Sequence, residues 1–446
     1  MLSLRPNCFT PVMLCGLLGL ILSCEPRVSP PAEEFPFQTV EVIQLTHGSK
    51  GHFLHQDQYF SPDQAWIVYD TRNDGSEIGK TCCIEMVHTA TQEVRSLYQT
   101  PHPTKFGPGV GATTFSPRAN RVLFIHGLSN ADSLHPYDFA RRTGVAVDLS
   151  RPGILIQMDA RDVHFPFTPG ALRGGTHAHG WSGDGRWVSF TYNDAVLRLS
   201  PEAKKASDSD FRSVGVMAPF GPVEVDPVTG EEDLSGERFA FLVTRLTEQP
   251  QPGTDQIDRA YEEGWIGQRG YARPDGTQQW RALAFLGDLR DHQGRKLTEV
   301  FVVDLPTELA PEKMGVQITG TSNQLPAPPL GVEQRRLTFT AHRTYPGVQG
   351  PRHWLKSVPD GRLILCLMKD DSGRVQIYAV PPEGGDIFQV THHDFSIQTA
   401  FSIGPKGRYV VYGHQGAIYL TEIATGESRL ILEPPSGETS GLRAIA

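Results

Sequence analysis

Trp181-Ser182-Gly183-Asp184-Gly185, running into Trp187-Val188-Ser189-Phe190, is a tight polar turn followed by a β-prone strand. The same unit recurs along the chain. Phe60-Ser61-Pro62-Asp63 leads into Ala65-Trp66-Ile67-Val68-Tyr69, and Phe115-Ser116-Pro117-Arg118 leads into Val122-Leu123-Phe124-Ile125. Val358-Pro359-Asp360-Gly361 leads into Leu363-Ile364-Leu365-Cys366, and Gly404-Pro405-Lys406-Gly407 into Tyr409-Val410-Val411-Tyr412. In each, proline or glycine supplies the backbone angles of a turn between two strands. A second element closes several units: Gln44-Leu45-Thr46-His47, Arg336-Leu337-Thr338-Phe339 and Gln389-Val390-Thr391-His392.

Strands in fours at intervals of roughly 45 to 70 residues predict an all-β chain folded as a β-propeller, because one four-stranded sheet cannot cover both its own faces. A sandwich would repeat at shorter, less regular spacing, and no stretch sustains the helical period of an α/β protein. Six four-stranded blades are expected, with seven as the alternative. The units begin after His55, Gly111, His177, His353 and Gln398, with an irregular fourth unit over roughly 215 to 340. That unit holds an insertion near 246–280. The strand Val40 to Thr46 is expected to join the last blade and close the ring, which would shield its edges.

The first residues read differently. Val12 to Leu22 is almost wholly apolar, too short to span a bilayer and the length of a secretory signal core. It ends in Leu20-Ile21-Leu22-Ser23-Cys24, which resembles the lipobox of bacterial lipoproteins; an ordinary secretory signal with a chance cysteine is the alternative. The resemblance implies a signal peptide over 1–23 and lipidation of Cys24, with the lipids as the membrane contact. Glu25 after the cysteine resembles the outer-membrane default of Gram-negative lipoproteins, so the cell envelope is the implied location. Residues 24–36 form a proline-rich tether, and 37–446 the propeller. Net charge is −9 without a basic cluster, which argues against nucleic acid as a partner. Beyond the leader only Cys82, Cys83 and Cys366 remain, read as buried small hydrophobes, with Cys82 and Cys83 on opposite faces of a strand.

The repeat resembles the Ser-Pro-Asp-Gly unit of TolB-like propellers. From about Gln44 to about Gly441 the chain is also similar to the YidR-like family of bacterial propellers, whose biochemical function is unassigned. The stretches that carry this are Phe167-Thr168-Pro169-Gly170, Arg173-Gly174-Gly175-Thr176-His177-Ala178-His179 and Phe190-Thr191-Tyr192-Asn193-Asp194. Gln251-Pro252-Gly253, Arg259-Ala260-Tyr261-Glu262-Glu263-Gly264-Trp265 and Pro351-Arg352-His353-Trp354 add to them. YidR-like chains carry a further Ser-Pro-Asp-Gly unit past the point where this one ends in Gly441-Leu442-Arg443-Ala444-Ile445-Ala446, which favours six blades over seven.

In a propeller the innermost strands start at one end of the central channel. Counting back five and six places from the residue before each turn gives Gln56 and His55, His177, His353 and Arg352, and Gln398. His179 lies two residues past His177, on the same face of an extended strand. Three histidines and an amide suit a Zn, Mn, Fe or Ni ion better than Ca or Mg. The set resembles that of oligogalacturonate lyases, propellers with a His/Gln-bound manganese at the channel mouth. The resemblance implies His177, His353 and Gln398 as metal ligands, with His55 or His179 as a fourth. It implies Arg352 as the group that neutralises a uronate carboxylate or enediolate during β-elimination, with His55 beside it as the second catalytic candidate. Gln56 and Trp265 are candidate ligand contacts. Trp265 would end a short amphipathic helix carrying Asp255, Asp258, Glu262 and Glu263, either a lid or a solvated acidic face.

Gly180-Trp181-Ser182-Gly183-Asp184 fails as a nucleophile elbow because Asp184 replaces the closing glycine. Two readings of function stay open: an envelope-anchored propeller that binds, and through a divalent metal cleaves, an acidic oligosaccharide, or a non-enzymatic scaffold for other envelope proteins.

Overall fold

The computed structural model describes residues 41–55, 57–74, 78–198, 212–226 and 232–433. These form a six-bladed β-propeller. Blade 2 is Val110–Phe115, Arg121–Gly127, Arg142–Asp148 and Ile156–Gln157, paired antiparallel in that order. Blade 3 is Gly174–Trp181, Val188–Asp194, Arg212–Ala218 and Phe239–Leu242, and blade 4 is Arg259–Trp265, Ala282–Arg290, Lys296–Asp304 and Glu333–Arg336. Blade 5 runs Lys356–Ser357, Ile364–Lys369, Val375–Val380 and Phe388–Gln389. Blade 6 runs Ser402–Ile403, Tyr409–His414, Ala417–Glu422 and Ser428–Leu432. Blade 1 pairs three strands, Trp66–Asp70, Cys83–His88 and Val94–Gln99, while Phe53 and Phe60 reach its inner edge through single bridges to Asp70 and Ile67.

The repeated turn has a local cause. The backbone N–H of Ser61 donates to the Trp66 carbonyl, and the Trp66 N–H returns to Ser61 Oγ at 3.0 Å. Ser182 and Trp187 repeat both bonds at the same spacing. In blades 3, 5 and 6 the third residue past the anchor is a glycine that closes the turn at positive φ: Gly185 at 68°, Gly361 at 76° and Gly407 at 67°. Gly185, Gly361 and Gly407 thus sit where a side chain would be strained.

Middle strands such as Val375–Val380 are buried along their whole length, because both faces of a blade pack on neighbours. Apolar layers fill the spaces between successive blades. Phe115, Val122 and Phe124 meet Ile84 and Leu97 between blades 1 and 2, and Leu123 and Ala146 meet Val188 and Phe190 between blades 2 and 3. Phe241 and Val216 meet Phe285 and Phe301 between blades 3 and 4.

Four expectations are corrected. Residues 212–218 and 239–242 complete blade 3 rather than opening the fourth unit, which starts at Arg259. The stretch expected as an acidic helix in an insertion is, at Arg259–Trp265, the innermost strand of blade 4; only the hairpin Tyr271–Ala272 and Gln278–Gln279 is added beside it. Residues 41–46 form no closing strand, and Val42 and Ile43 are 67% and 56% exposed, so burial gives that segment no reason to pair. Cys82 and Cys83 are joined in a disulfide; Cys82 precedes the strand that begins at Cys83, so strand alternation does not hold the two apart. Among the described residues no helix is long and apolar enough to cross a membrane. Residues 1–40, with Cys24, lie outside the described residues, as does Gln56.

Candidate functional site

The inner strands of blades 2, 3 and 4 share an irregularity that the sequence does not display. Ala112, Ala178 and Glu262, each four residues before the turn anchor, adopt φ of 58°, 55° and 54°. The pairing register shifts there, between Gly111 and Thr114, His177 and Gly180, and Tyr261 and Gly264. Such bulges re-aim the side chains beside them. Simple alternation therefore does not carry from His177 to His179.

The two histidines have separate surroundings. His179 is fully buried, with Nε2 3.1 Å from Thr176 Oγ1. A Cβ on Gly144 would come within 2.7 Å of that nitrogen, so the glycine makes room for the ring. Asp159 sits beneath, accepting from Thr176 Oγ1 and the Gly144 N–H. His177 is also buried, but its Nδ1 has no partner among the described residues. His55 Nε2 is likewise buried and unpartnered, and its ring stands edge-on to Trp354 with centroids 4.7 Å apart.

Guanidinium groups surround this pair. Burial pushes the His55 pKa well below its ordinary value, and Arg72, Arg352 and Arg142 add to the shift. Burial does the same to His177, joined by Arg142, Arg212 and Arg352. Both imidazoles are therefore neutral at physiological pH. Arg72 is matched by a buried bidentate pairing with Asp70 at 2.7 Å, and Arg352 by Glu262 at 2.7 Å. Arg142 is 3% exposed and meets no carboxylate among the described residues; its Nη1 donates to Tyr137 Oη at 3.0 Å, and its Nε is buried without a partner among them. A buried cation without a counter-ion beside two unpaired neutral imidazoles favours an anion.

The expected metal set does not assemble. His353 Nδ1 lies 2.9 Å from the Pro351 carbonyl, and Nε2 accepts the Leu367 N–H at 3.1 Å. Both ring nitrogens are occupied, and the imidazole serves to join the blade 5 approach to its second strand. Gln398 is exposed, and its Oε1 accepts the Gln415 N–H at 2.8 Å. With His353 and Gln398 engaged locally, and His179 turned to Thr176, the residues present do not fit a shared ion at this mouth. A different trio, Asp162, His164 and Asp233, places ligand atoms within 4.8 Å of one another and could hold a metal ion. Its carboxylates already organise a loop: Asp162 Oδ2 takes the Thr168 N–H at 2.7 Å, and Asp233 Oδ2 lies 2.7 Å from His164 Nδ1. No motif joins these segments, so sequence reading passed over them.

Below the mouth a cavity of about 230 Å³ opens along the channel, with Trp265, Trp354, Gln58, Glu263, Lys356 and Ser357 among its walls. Trp265 lines this cavity from the inner strand rather than from a lid helix, and its Nε1 donates to the Gly180 carbonyl at 2.9 Å. Glu263 is 2% exposed; Oε2 accepts Thr191 Oγ1 at 2.7 Å, while Oε1 has no partner. Burial pushes its pKa up to about 8, so the carboxyl keeps its proton at neutral pH.

Residues 109–231 match the family model described as "Protein of unknown function (DUF3748)". The uncharacterized protein YidR of Escherichia coli (strain K12) is 41% identical over 402 residues, 89% of this chain and 90% of YidR. TolB from Acinetobacter baumannii is 15% identical with a TM-score of 0.38, covering 84% of this chain and 65% of that one. An oligogalacturonate lyase from Vibrio parahaemolyticus is 14% identical with a TM-score of 0.43, covering 85% and 80%. These two likenesses concern the fold and extend no further. The chain belongs to the YidR family.

Proposed function

We propose that this YidR-family propeller is an envelope-anchored binding protein that captures a carboxylate of an acidic oligosaccharide at the channel mouth formed by His55, His177, Arg142 and Arg352. The observation that carries the reading is Arg142: a buried guanidinium without a carboxylate partner among the described residues, beside two imidazole nitrogens that none of those residues satisfies. Guanidinium groups match carboxylate geometry, and neutral imidazole can donate or accept a further hydrogen bond. Anchoring through lipidated Cys24 is supported by the Leu20-Ile21-Leu22-Ser23-Cys24 run. Because His353 and Gln398 are engaged by neighbouring backbone groups, leaving only His55 and His177 with open ring nitrogens among the described residues, no elimination step is routed through a metal, and the reading is one of binding.

The test is calorimetric titration with oligogalacturonate against wild-type protein, His177→Ala and Arg352→Gln, each first checked for native fold. Binding that weakens at least about tenfold in both variants, equivalent to about 1.4 kcal/mol, is the expected result. Equal affinity in all three proteins would overturn the mouth as the site and leave the scaffold reading.

A further inference from the structure

The channel cavity contains polar groups that the fold does not use. Gln58 is consumed: its Oε1 accepts from Trp181 N–H and Thr114 Oγ1, and its Nε2 donates to the Trp181 carbonyl. Ser357 Oγ is also consumed, taking the Gly267 N–H at 2.6 Å and donating to the Trp265 carbonyl at 3.1 Å. Lys356 has Asp57 at 3.4 Å. Glu263 Oε1, Trp354 Nε1 and Trp181 Nε1 remain, all buried and all without a partner among the described residues. Each such group, left dry and unpaired, loses its hydrogen bonds to water without replacement, which destabilises the fold. Natural folds retain that cost where a ligand or water removes it.

The remaining chemistry is specific. An indole N–H only donates, while a carboxyl both accepts and, when protonated, donates. A hydroxyl can answer both. Burial keeps Glu263 protonated, and Lys356 is balanced by Asp57, so the cavity presents no net charge at neutral pH. At about 230 Å³ the space is smaller than the roughly 300–1,000 Å³ of drug-sized sites, which limits the occupant to one ring. Trp354 also forms the wall shared with the mouth, since its ring meets His55 and lies under the Arg352 guanidinium at 4.6 Å.

Resting on the acidic-oligosaccharide reading, we propose that the cavity is the subsite for one uncharged, hydroxyl-bearing ring of the ligand, hydrogen-bonded by Glu263 and by Trp354 Nε1. The mouth takes the charge, and the cavity takes the neutral ring next to it.

The experiment titrates intrinsic tryptophan fluorescence with neutral monosaccharides (glucose, galactose, mannose) and, separately, with galacturonate oligomers. Wild-type protein, Glu263→Gln and Trp354→Phe are compared. Trp354→Phe keeps the ring and removes one donor, so a three- to tenfold loss of affinity for the neutral sugar is expected, the worth of a single hydrogen bond. Glu263→Gln, which keeps the shape of the side chain and removes the carboxyl, should weaken binding as well. Neutral-sugar binding lost in this way, without any preference for galacturonate, would sink the mouth reading while the cavity stands. Galacturonate binding untouched by both substitutions, or no response to any neutral sugar, would overturn the cavity inference.

Discussion

Arg352, on the approach to blade 5, donates Nε–H to Glu262 Oε1 on the inner strand of blade 4 at 2.7 Å. Burial raises the Glu262 pKa, and the guanidinium opposes that rise. The Arg352 side chain is 57% exposed, so water screens the pair. Arg352→Gln should therefore cost about 1 kcal/mol rather than the larger penalty of a dry ion pair. A double-mutant cycle with Glu262→Gln, followed by urea denaturation, should return a coupling of about 0.5–1 kcal/mol.

Gly264 allows blades 4 and 5 to meet. A Cβ there would lie 2.0 Å from the Leu355 carbonyl oxygen, while the Leu355 N–H bonds to the Glu262 carbonyl at 3.1 Å. Gly264→Ala must push the two inner strands apart and should cost about 3 kcal/mol, at the upper end for overpacking. The expected sign is a lower urea midpoint with an unchanged m-value.

Stability should peak close to pH 6.5. His353, pushed down to about 4 by burial, His179, pushed to about 3, and His55 and His177, pushed well down by burial, bind fewer protons folded than unfolded. Their contribution is complete above the unfolded value of 6.5 and is lost as pH falls toward 4. Glu263 acts with the opposite sign: raised from 4.5 to about 8, it supports the fold fully below 4.5 and loses that support as pH rises through 8. Thermal denaturation across pH 4 to 9 should show both limbs. Glu263→Gln should flatten the alkaline one, and His353→Ala should lower stability at every pH, since Leu367 N–H loses its acceptor.

The blade count was readable because the turn is encoded locally: the anchor N–H bonds the carbonyl five places on in the next strand, and in blades 3, 5 and 6 a glycine at positive φ follows three places after the anchor. The boundary between blades 3 and 4 was not, because Ile266-Gly267-Gln268 stands where the motif would be and a hairpin follows it. At the mouth, counting along strands found His55 and His177 but could not see the bulge at Ala178 that separates His179 from them. The same count placed His353 in a consistent register, yet a backbone carbonyl and a backbone N–H consume its ring. Glu263 read as part of an acidic stretch, and the sequence could not show that it and Arg142 are buried with polar atoms that no described residue satisfies.

Anchoring is tested apart from the propeller. Cys24→Ser should release the protein from the membrane fraction or leave its leader uncleaved, as followed by detergent-phase partition of cell extracts. Unchanged partition would contradict lipidation.

The central claim, capture of a carboxylate by Arg142, Arg352 and the two neutral histidines, is tested most directly by comparing one oligosaccharide with its carboxyl-reduced form. Calorimetry of oligogalacturonate and of the reduced, uncharged oligomer would use the same protein at two salt concentrations. The expected result is at least tenfold tighter binding of the acidic form, with the difference shrinking as salt rises. Equal affinity for the two forms at low salt would contradict it.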